Sequence, residues 1–439
     1  MILKALLLSS TLILSTLVLS TLNCSGKQNK FCMKGFGVNS QETIDNPMPA
    51  LPKLSPAIRD AHKERRGRAY FAFHEWTDFT RELSETPGVV VMTSPLFDTD
   101  LTANEVVVSW NAETPADTGL KIEARAYCGS HFTKYYTLGL WSKDGSTFPR
   151  ESVNGQKDAD GDVRTDTLAL TQPASRLQLR ITLQGKQQAV KSVSKIEVNK
   201  TEVKPESTPE STAAQEKTPP IMPTLKYLGI CLADTHLVQN PLEPNRSVWG
   251  KEIAVPAKTQ LGWPGGSGWC SPTSTSMTLA FWAKILHRPE LDIPVPETAH
   301  AIHDKVYDGT GNWPFNTAFA GSFPGIRAYV TRLSDIRELE DWVALGIPPV
   351  VSVSYDLLKG KPKDEDPGHL MVCDGFTKDG DIILNDPAHH PEKGEACRRI
   401  FPRANFLRGW NRSKFLIYLI YPENMQVPLD NYGHWDSAK

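Results

Sequence analysis

Covalent chemistry is first suggested by a cysteine set behind a run of glycines. Residues 260–277 read Gln-Leu-Gly-Trp-Pro-Gly-Gly-Ser-Gly-Trp-Cys-Ser-Pro-Thr-Ser-Thr-Ser-Met, with Cys270 closing the glycine-rich stretch. Pro272 falls where a first helical turn tolerates a missing N–H. Beyond it Met277, Leu279, Ala280, Phe281, Trp282, Ile285 and Leu286 predict a helix apolar on most faces, and so buried. Cys270 is then expected at a helix N-terminus, where free N–H groups and the helix dipole favour a thiolate, the nucleophilic form of the residue. The preceding glycines let another chain approach the sulfur closely.

A thiolate needs a base. Pro367-Gly368-His369 leads into the apolar run Leu370-Met371-Val372-Cys373. A turn near Lys378-Asp379-Gly380 follows, and Ile382-Ile383-Leu384 returns to Asn385-Asp386-Pro387. This pattern predicts a hairpin with His369 entering one strand and Asp386 leaving the other. With a loop of about four residues, His369 faces residue 388 and Asp386 lies two positions along on the same face. Such diagonal neighbours are about 7 Å apart at the backbone, within reach of an imidazole–carboxylate bond. A two-residue turn at Asp379-Gly380 moves the pair two residues further out of register. The carboxylate would orient the ring and stabilise its cation. Taken singly, a cysteine is more often a small buried hydrophobe than a nucleophile; it is the combination that points to catalysis.

These residues resemble a known family. Trp269-Cys270-Ser-Pro-Thr-Ser, Gly368-His369-Leu-Met-Val and Asn385-Asp386-Pro387-Ala388 are similar to the motifs of the C39-like branch of the papain-like cysteine peptidases. The resemblance implies Cys270 as nucleophile, His369 as base and Asp386 as the orienting acid. It also implies Gln260, upstream of the cysteine, as a donor to the oxyanion, at a spacing of ten residues that is longer than in many members. Ser271 stands where many members have glycine. Ser109-Trp110, the stretch from Ser152 to Asp158, and Thr165-Asp166-Thr167 resemble the β-sandwich that precedes this catalytic domain in some exported members.

Trp263, Trp269 and Trp313 are candidates to line a substrate groove. His300 with His303, and His389 with His390, lack the orderly third and fourth ligands of a zinc site, so they are read as solvated and no metal or cofactor is expected. Asp158, Asp160 and Asp162 depart from the calcium-loop pattern at Val163 and Ala169, and are read as an acidic turn. Residues 333–345 predict an amphipathic helix without chemistry.

Between about Tyr70 and Val198 the signal is strands. Val106 to Trp110 is a β-branched run, and Leu120, Ile122, Ala124 and Ala126 alternate, as do Leu177, Leu179, Ile181 and Leu183. The expected organisation is a signal segment at 1–23, a Pro-rich and charged tether at 24–69 and an antiparallel β-sandwich at 70–199. A disordered linker at 200–220, a papain-like α+β domain at 221–424 and a tail at 425–439 follow. The first 24 residues have a short positive start and an apolar run ending at Asn23-Cys24, which resembles a relaxed lipobox. That resemblance implies export, and a membrane anchor through a lipidated Cys24. Lys and Arg number 48 against 50 Asp and Glu, for a net charge of −2, which leaves no electrostatic footprint for nucleic acid. Setting Cys24 and Cys270 aside leaves five of the seven cysteines, an odd number without a dense disulfide framework.

The sequence thus predicts an exported, lipid-anchored cysteine peptidase acting on peptide or protein. Two rivals use the same residues differently: a binding or adhesion module on an inactive protease fold, and an amide or isopeptide transferase working through the same thioester.

Overall fold

A computed structural model describes residues 64–145, 147–188 and 218–437. The signal segment, Cys24, Cys32, most of the tether and most of the linker lie outside the described residues.

The N-terminal body is built from β1 (Arg68–Phe73), β2 (Thr80–Leu83), β3 (Val89–Thr93), β4 (Phe97–Glu113), β5 (Gly119–Cys128) and β6 (His131–Phe132). It is completed by β7 (Tyr136–Trp141), β8 (Gly161–Arg164), β9 (Thr167–Gln184) and β10 (Thr224–Ala233). Every pairing among them is antiparallel. The alternation at Leu177, Leu179 and Ile181 points one face inward, and all three are buried. The strands are not two separate sheets, as the sandwich expectation had them. The long β9 pairs with β4 and β8 along its first half and with β3 and β5 along its second, which joins them into one branched sheet.

The second body carries α1 (Cys270–Leu286), α2 (Val295–Ile302), α3 (Trp313–Ala320), β11 (Ile326–Arg332), α4 (Ile336–Ala344), β12 (Val350–Val353) and α5 (Tyr355–Leu358). It continues through β13 (His369–Phe376), β14 (Ile382–Asn385), β15 (Arg398–Phe401), α6 (Arg403–Asn411) and β16 (Leu416–Pro422). Its six strands form an antiparallel sheet in the order β11-β16-β12-β13-β14-β15.

Three boundaries differ from expectation. Residues 224–233, placed by sequence in the second domain, form β10 and fill the edge of β4 that would otherwise expose unpaired backbone. The end of the expected tether is folded: Arg65, Arg66 and Arg68 are buried. The expected tail also packs down. The Tyr70 N–H donates to the Gly433 carbonyl at 2.7 Å, and the buried His434 sits 2.7 Å from both the Glu338 carboxylate and the Arg65 carbonyl oxygen.

The two bodies share one continuous set of buried residues. This explains why Val106 to Ala112 is buried at every position rather than alternating: one face meets the N-terminal core and the other meets the second body. Asn111 imitates a strand partner there. Its side-chain Nδ2 donates to the Ala328 carbonyl at 2.7 Å, and its Oδ1 accepts from the Ala328 N–H at 3.2 Å. The Val330 N–H donates to Ser109 Oγ at 2.9 Å. The outer edge of β11 is covered in this way.

Candidate active site

Cys270 is the first residue of α1, with Trp269 at the N-cap position and no acidic residue in the first turn. The helix is buried from Ser271 to Ala283, as its apolar residues predict. Its first two turns, however, are buried through small hydroxyl residues, all of which have a partner except Thr273. Ser271 Oγ lies 2.9 Å from the Tyr418 hydroxyl, and Ser274 Oγ donates to the Leu370 carbonyl at 3.0 Å. Thr278 Oγ1 donates back to the Ser274 carbonyl at 3.1 Å. Hydroxyls that satisfy themselves locally can sit in a core without the cost of an orphaned polar group.

β13 and β14 form the expected hairpin, and a β-bulge sets its register. The closing pair is Phe376 with Ile382, around a five-residue loop; beyond the bulge between Cys373 and Gly375 the partners become Cys373 with Leu384 and Val372 with Asn385. A five-residue loop alone would put Asp386 opposite Val372, on the other face from His369. The extra residue at Asp374 moves it opposite Met371, restoring the face that a four-residue loop would give. The carboxylate and the ring meet: His369 Nε2 lies 2.9 Å from Asp386 Oδ1. With Nε2 engaged, the other ring nitrogen is left for the Cys270 thiol, with which His369 shares a hydrogen bond.

Asp386 is held more elaborately than sequence reasoning anticipated. Oδ1 also accepts from the Ala388 N–H at 2.9 Å, and Oδ2 accepts from the Tyr355 hydroxyl at 2.7 Å and pairs with Arg399 Nε at 3.0 Å. The backbone carbonyl of Asp386 accepts from His389 Nδ1 at 2.8 Å, which makes His389 a buried structural residue rather than a solvated one. Tyr355 also lays its ring against His369, with centroids 4.8 Å apart. It begins a single helical turn capped by Ser354, whose Oγ accepts from the Leu357 N–H. Nothing in the spacing of Tyr355 or Arg399 links them to Asp386, because three different elements deliver the three residues.

Burial opposes charge throughout the site, and hydrogen bonding overcomes it. Burial pushes the Cys270 thiol up, but the His369 imidazole and the N–H groups of Leu370 and Ser271 bring it below the ordinary thiol range. Burial pulls His369 down, yet its bonds to Asp386 and Cys270 raise it to about 9. Burial raises Asp386, and His369, Tyr355 and the Ala388 N–H together hold it at about 2. The combined directions favour a thiolate–imidazolium pair backed by a carboxylate.

Gln260 is buried and pinned on both sides. Its backbone N–H donates to the Pro387 carbonyl at 2.9 Å, and its side-chain Nε2 donates to the Ser267 carbonyl at 2.7 Å. One N–H of that amide is left over, and Oε1 has no partner. Trp263 is 48% exposed in the loop before Cys270. Trp269 meets the His300 ring edge-on, with centroids 5.9 Å apart. Trp313 instead starts α3, its N–H donating to Asp166 of the N-terminal body at 2.7 Å. Cys128, Cys231, Cys270, Cys373 and Cys397 are free thiols. Among the described residues no cluster could hold a metal ion.

Comparison with known proteins places these features. Residues 68–199 match the family described as the Peptidase C39 N-terminal domain, and residues 252–418 match the Peptidase_C39 like family. No curated protein matches the chain. A crystal structure of a candidate C39-like peptidase from Bacillus anthracis is 18% identical; the match covers 39% of this chain and 97% of that one, at a TM-score of 0.31. The assignment rests on the two family matches, which fall in the expected order on the two bodies of the fold: this chain belongs to the C39-like peptidase family.

Proposed function

We propose that the chain is a cysteine peptidase that hydrolyses peptide amide bonds, with Cys270 as nucleophile, His369 as acid–base and Asp386 as the group that orients the ring. The observation that carries this reading is the His369 imidazole held between the Asp386 carboxylate, at 2.9 Å, and the sulfur that begins α1. The thiolate attacks the amide carbonyl carbon, and the resulting oxyanion takes hydrogen bonds from the Cys270 N–H and the remaining N–H of Gln260. His369 gives its proton to the departing amine. Water, activated by the now neutral imidazole, then cleaves the thioester.

An extended peptide suits the approach to the sulfur. A Cβ added at Gly262 or Gly268 would meet nothing within 4 Å, so the loop offers open backbone, with Trp263 at its rim. The apolar run ending at Cys24 supports export and a lipid anchor.

Replacing Cys270 with Ala tests the proposal. Turnover of a peptide library should disappear, along with labelling by a thiol-directed peptide electrophile, while the thermal unfolding profile stays that of the parent. Peptide turnover that survives the substitution overturns it. Adding a primary amine during turnover separates hydrolysis from amide transfer, because transfer yields an amine-capped product.

A further inference from the structure

The glycine-rich loop before Cys270 is tied to the N-terminal body by a continuous hydrogen-bonded path that centres on a buried carboxylate. Asp304, fully buried, follows α2 on the segment leading to α3. Its Oδ1 accepts from the Ser152 backbone N–H at 2.9 Å and from Ser152 Oγ at 3.2 Å, both from the N-terminal body. The same oxygen accepts from the N–H groups of Val306 and Tyr307, each at 3.1 Å. Oδ2 accepts from Asn312 Nδ2 at 2.9 Å. One carboxylate therefore folds residues 304–312 into a compact loop and fastens that loop to the neighbouring body.

From there the path runs to the nucleophile. Thr310 Oγ1 donates to the Gly268 carbonyl at 3.0 Å, two residues before Cys270. Asn316 Nδ2 donates to the carbonyls of Thr310 and Asn312, at 3.0 and 2.8 Å, while its Oδ1 accepts from Thr275 of α1 at 3.2 Å. A second tether lies alongside, where Asp166, at the tip of the β8–β9 hairpin, accepts from the Trp313 N–H. Below it Phe315 wedges between Trp110 and Trp141, with centroid distances of 6.0 and 5.3 Å.

We propose that Asp304 is a positioning residue through which the N-terminal body, by way of Ser152, holds the glycine-rich loop in place for the reaction at Cys270. Chain entropy is what such a tether must overcome. Gly262, Gly265, Gly266 and Gly268 leave that loop little side-chain packing of its own and give it the largest conformational freedom to lose. Gln260 holds it from within at the Ser267 carbonyl, external bonds do the rest, and a buried carboxylate with both oxygens engaged is a rigid anchor. The N-terminal body is then a working wall of the site rather than a separate targeting module. The consequence for turnover rests on Cys270 being the nucleophile; the positioning itself does not.

The test compares Asp304→Asn, Thr310→Val and Ser152→Ala in the full chain. Asp304→Asn sets an amide N–H against Asn312 Nδ2, and Thr310→Val removes the bond to Gly268 with little change of shape. Hydrogen–deuterium exchange of the amides in 261–269 should speed up about tenfold or more in the first two variants, as expected for losing a bond that restrains a local opening. The pH dependence of Cys270 alkylation by iodoacetamide, read by peptide mass spectrometry, should not move, because His369 and α1 are untouched. For peptide turnover, kcat should fall about tenfold with KM changed less, as for a lost orienting contact. Exchange in 261–269 at the parental rate in both variants overturns the proposal. Faster exchange in the variants, when the parent itself shows no peptide turnover, upholds the positioning role and removes the peptidase reading instead. Should Asp304→Asn fail to fold, Thr310→Val and Ser152→Ala decide the matter by the same measurement.

Discussion

Ser274 Oγ donates to the carbonyl of Leu370 at 3.0 Å, which bolts the second turn of α1 to the residue directly after His369. Cys270 lies one turn above this bond and the Leu370 N–H faces its sulfur. The distance from sulfur to imidazole is therefore fixed by a contact one helical turn from Cys270 and one residue from His369. Replacing Ser274 by Ala leaves a buried carbonyl without its donor and should cost about 1–3 kcal/mol in urea denaturation. The Cys270 thiol should titrate higher in pH-dependent alkylation, because the imidazole is less firmly placed. An unchanged thiol titration in a destabilised variant would confine Ser274 to stability.

Activity should follow a bell-shaped dependence on pH. On the acid side it falls as the thiolate takes up its proton, at a pH below the ordinary thiol range. On the basic side it falls as the imidazolium loses its proton near pH 9. The stability terms have the matching signs. The raised His369 contributes below its unfolded value and loses that contribution as pH rises through about 9; the depressed Asp386 contributes above the ordinary carboxylate range and loses its contribution as pH falls through about 2. Initial rates in constant-ionic-strength buffers measure the first pair, and urea midpoints against pH measure the second.

Asp386→Asn removes the charge that holds His369 protonated. The basic limb should shift toward lower pH, and kcat/KM should fall about 10²- to 10⁴-fold, the range of a lost acid–base partner. A basic limb that stays at the parental pH in this variant would assign it to another group.

Tyr355→Phe keeps the ring against His369 and deletes only the hydroxyl that reaches Asp386 Oδ2. Losing a hydrogen bond to a charged acceptor should cost about 1.5–3 kcal/mol of stability at neutral pH, measured by denaturation, with less of the loss seen in acid. The basic limb should move down slightly, since the carboxylate is then less well fixed.

Gly375→Ala tests the bulge. An added Cβ would sit 2.2 Å from the Lys251 carbonyl oxygen and 2.9 Å from the Glu252 Cα, both backbone atoms that cannot swing aside. The hairpin must then shift against its neighbour. Stability should drop by about 1–3 kcal/mol or more, as for other overpacked sites, and the peptide-cleaving rate should fall further than stability alone predicts, because the register that faces Asp386 toward His369 is disturbed. Equal activity and equal melting temperature would mean the bulge is tolerant.

Much of this arrangement was written in short-range pattern. Cys270 at the start of a buried helix follows from the glycines, Pro272 and the apolar run. His369 and Asp386 at opposite ends of one hairpin follow from two apolar strands and a turn, and the strand-rich character of the N-terminal body follows from period-two alternation. These features are legible because each depends on neighbours a few residues away. What the chain could not announce is which distant groups meet. The five-residue loop would have separated the ring from the carboxylate had the bulge at Asp374 not corrected the face, and a bulge has no periodic signature. Tyr355 and Arg399 reach Asp386 from separate elements, β10 crosses back to pair with β4, and Ser152 finds Asp304 across 152 positions. Each of these depends on the packing of whole sheets against one another, where the favourable term is buried area summed over the two bodies and no local propensity encodes the partner.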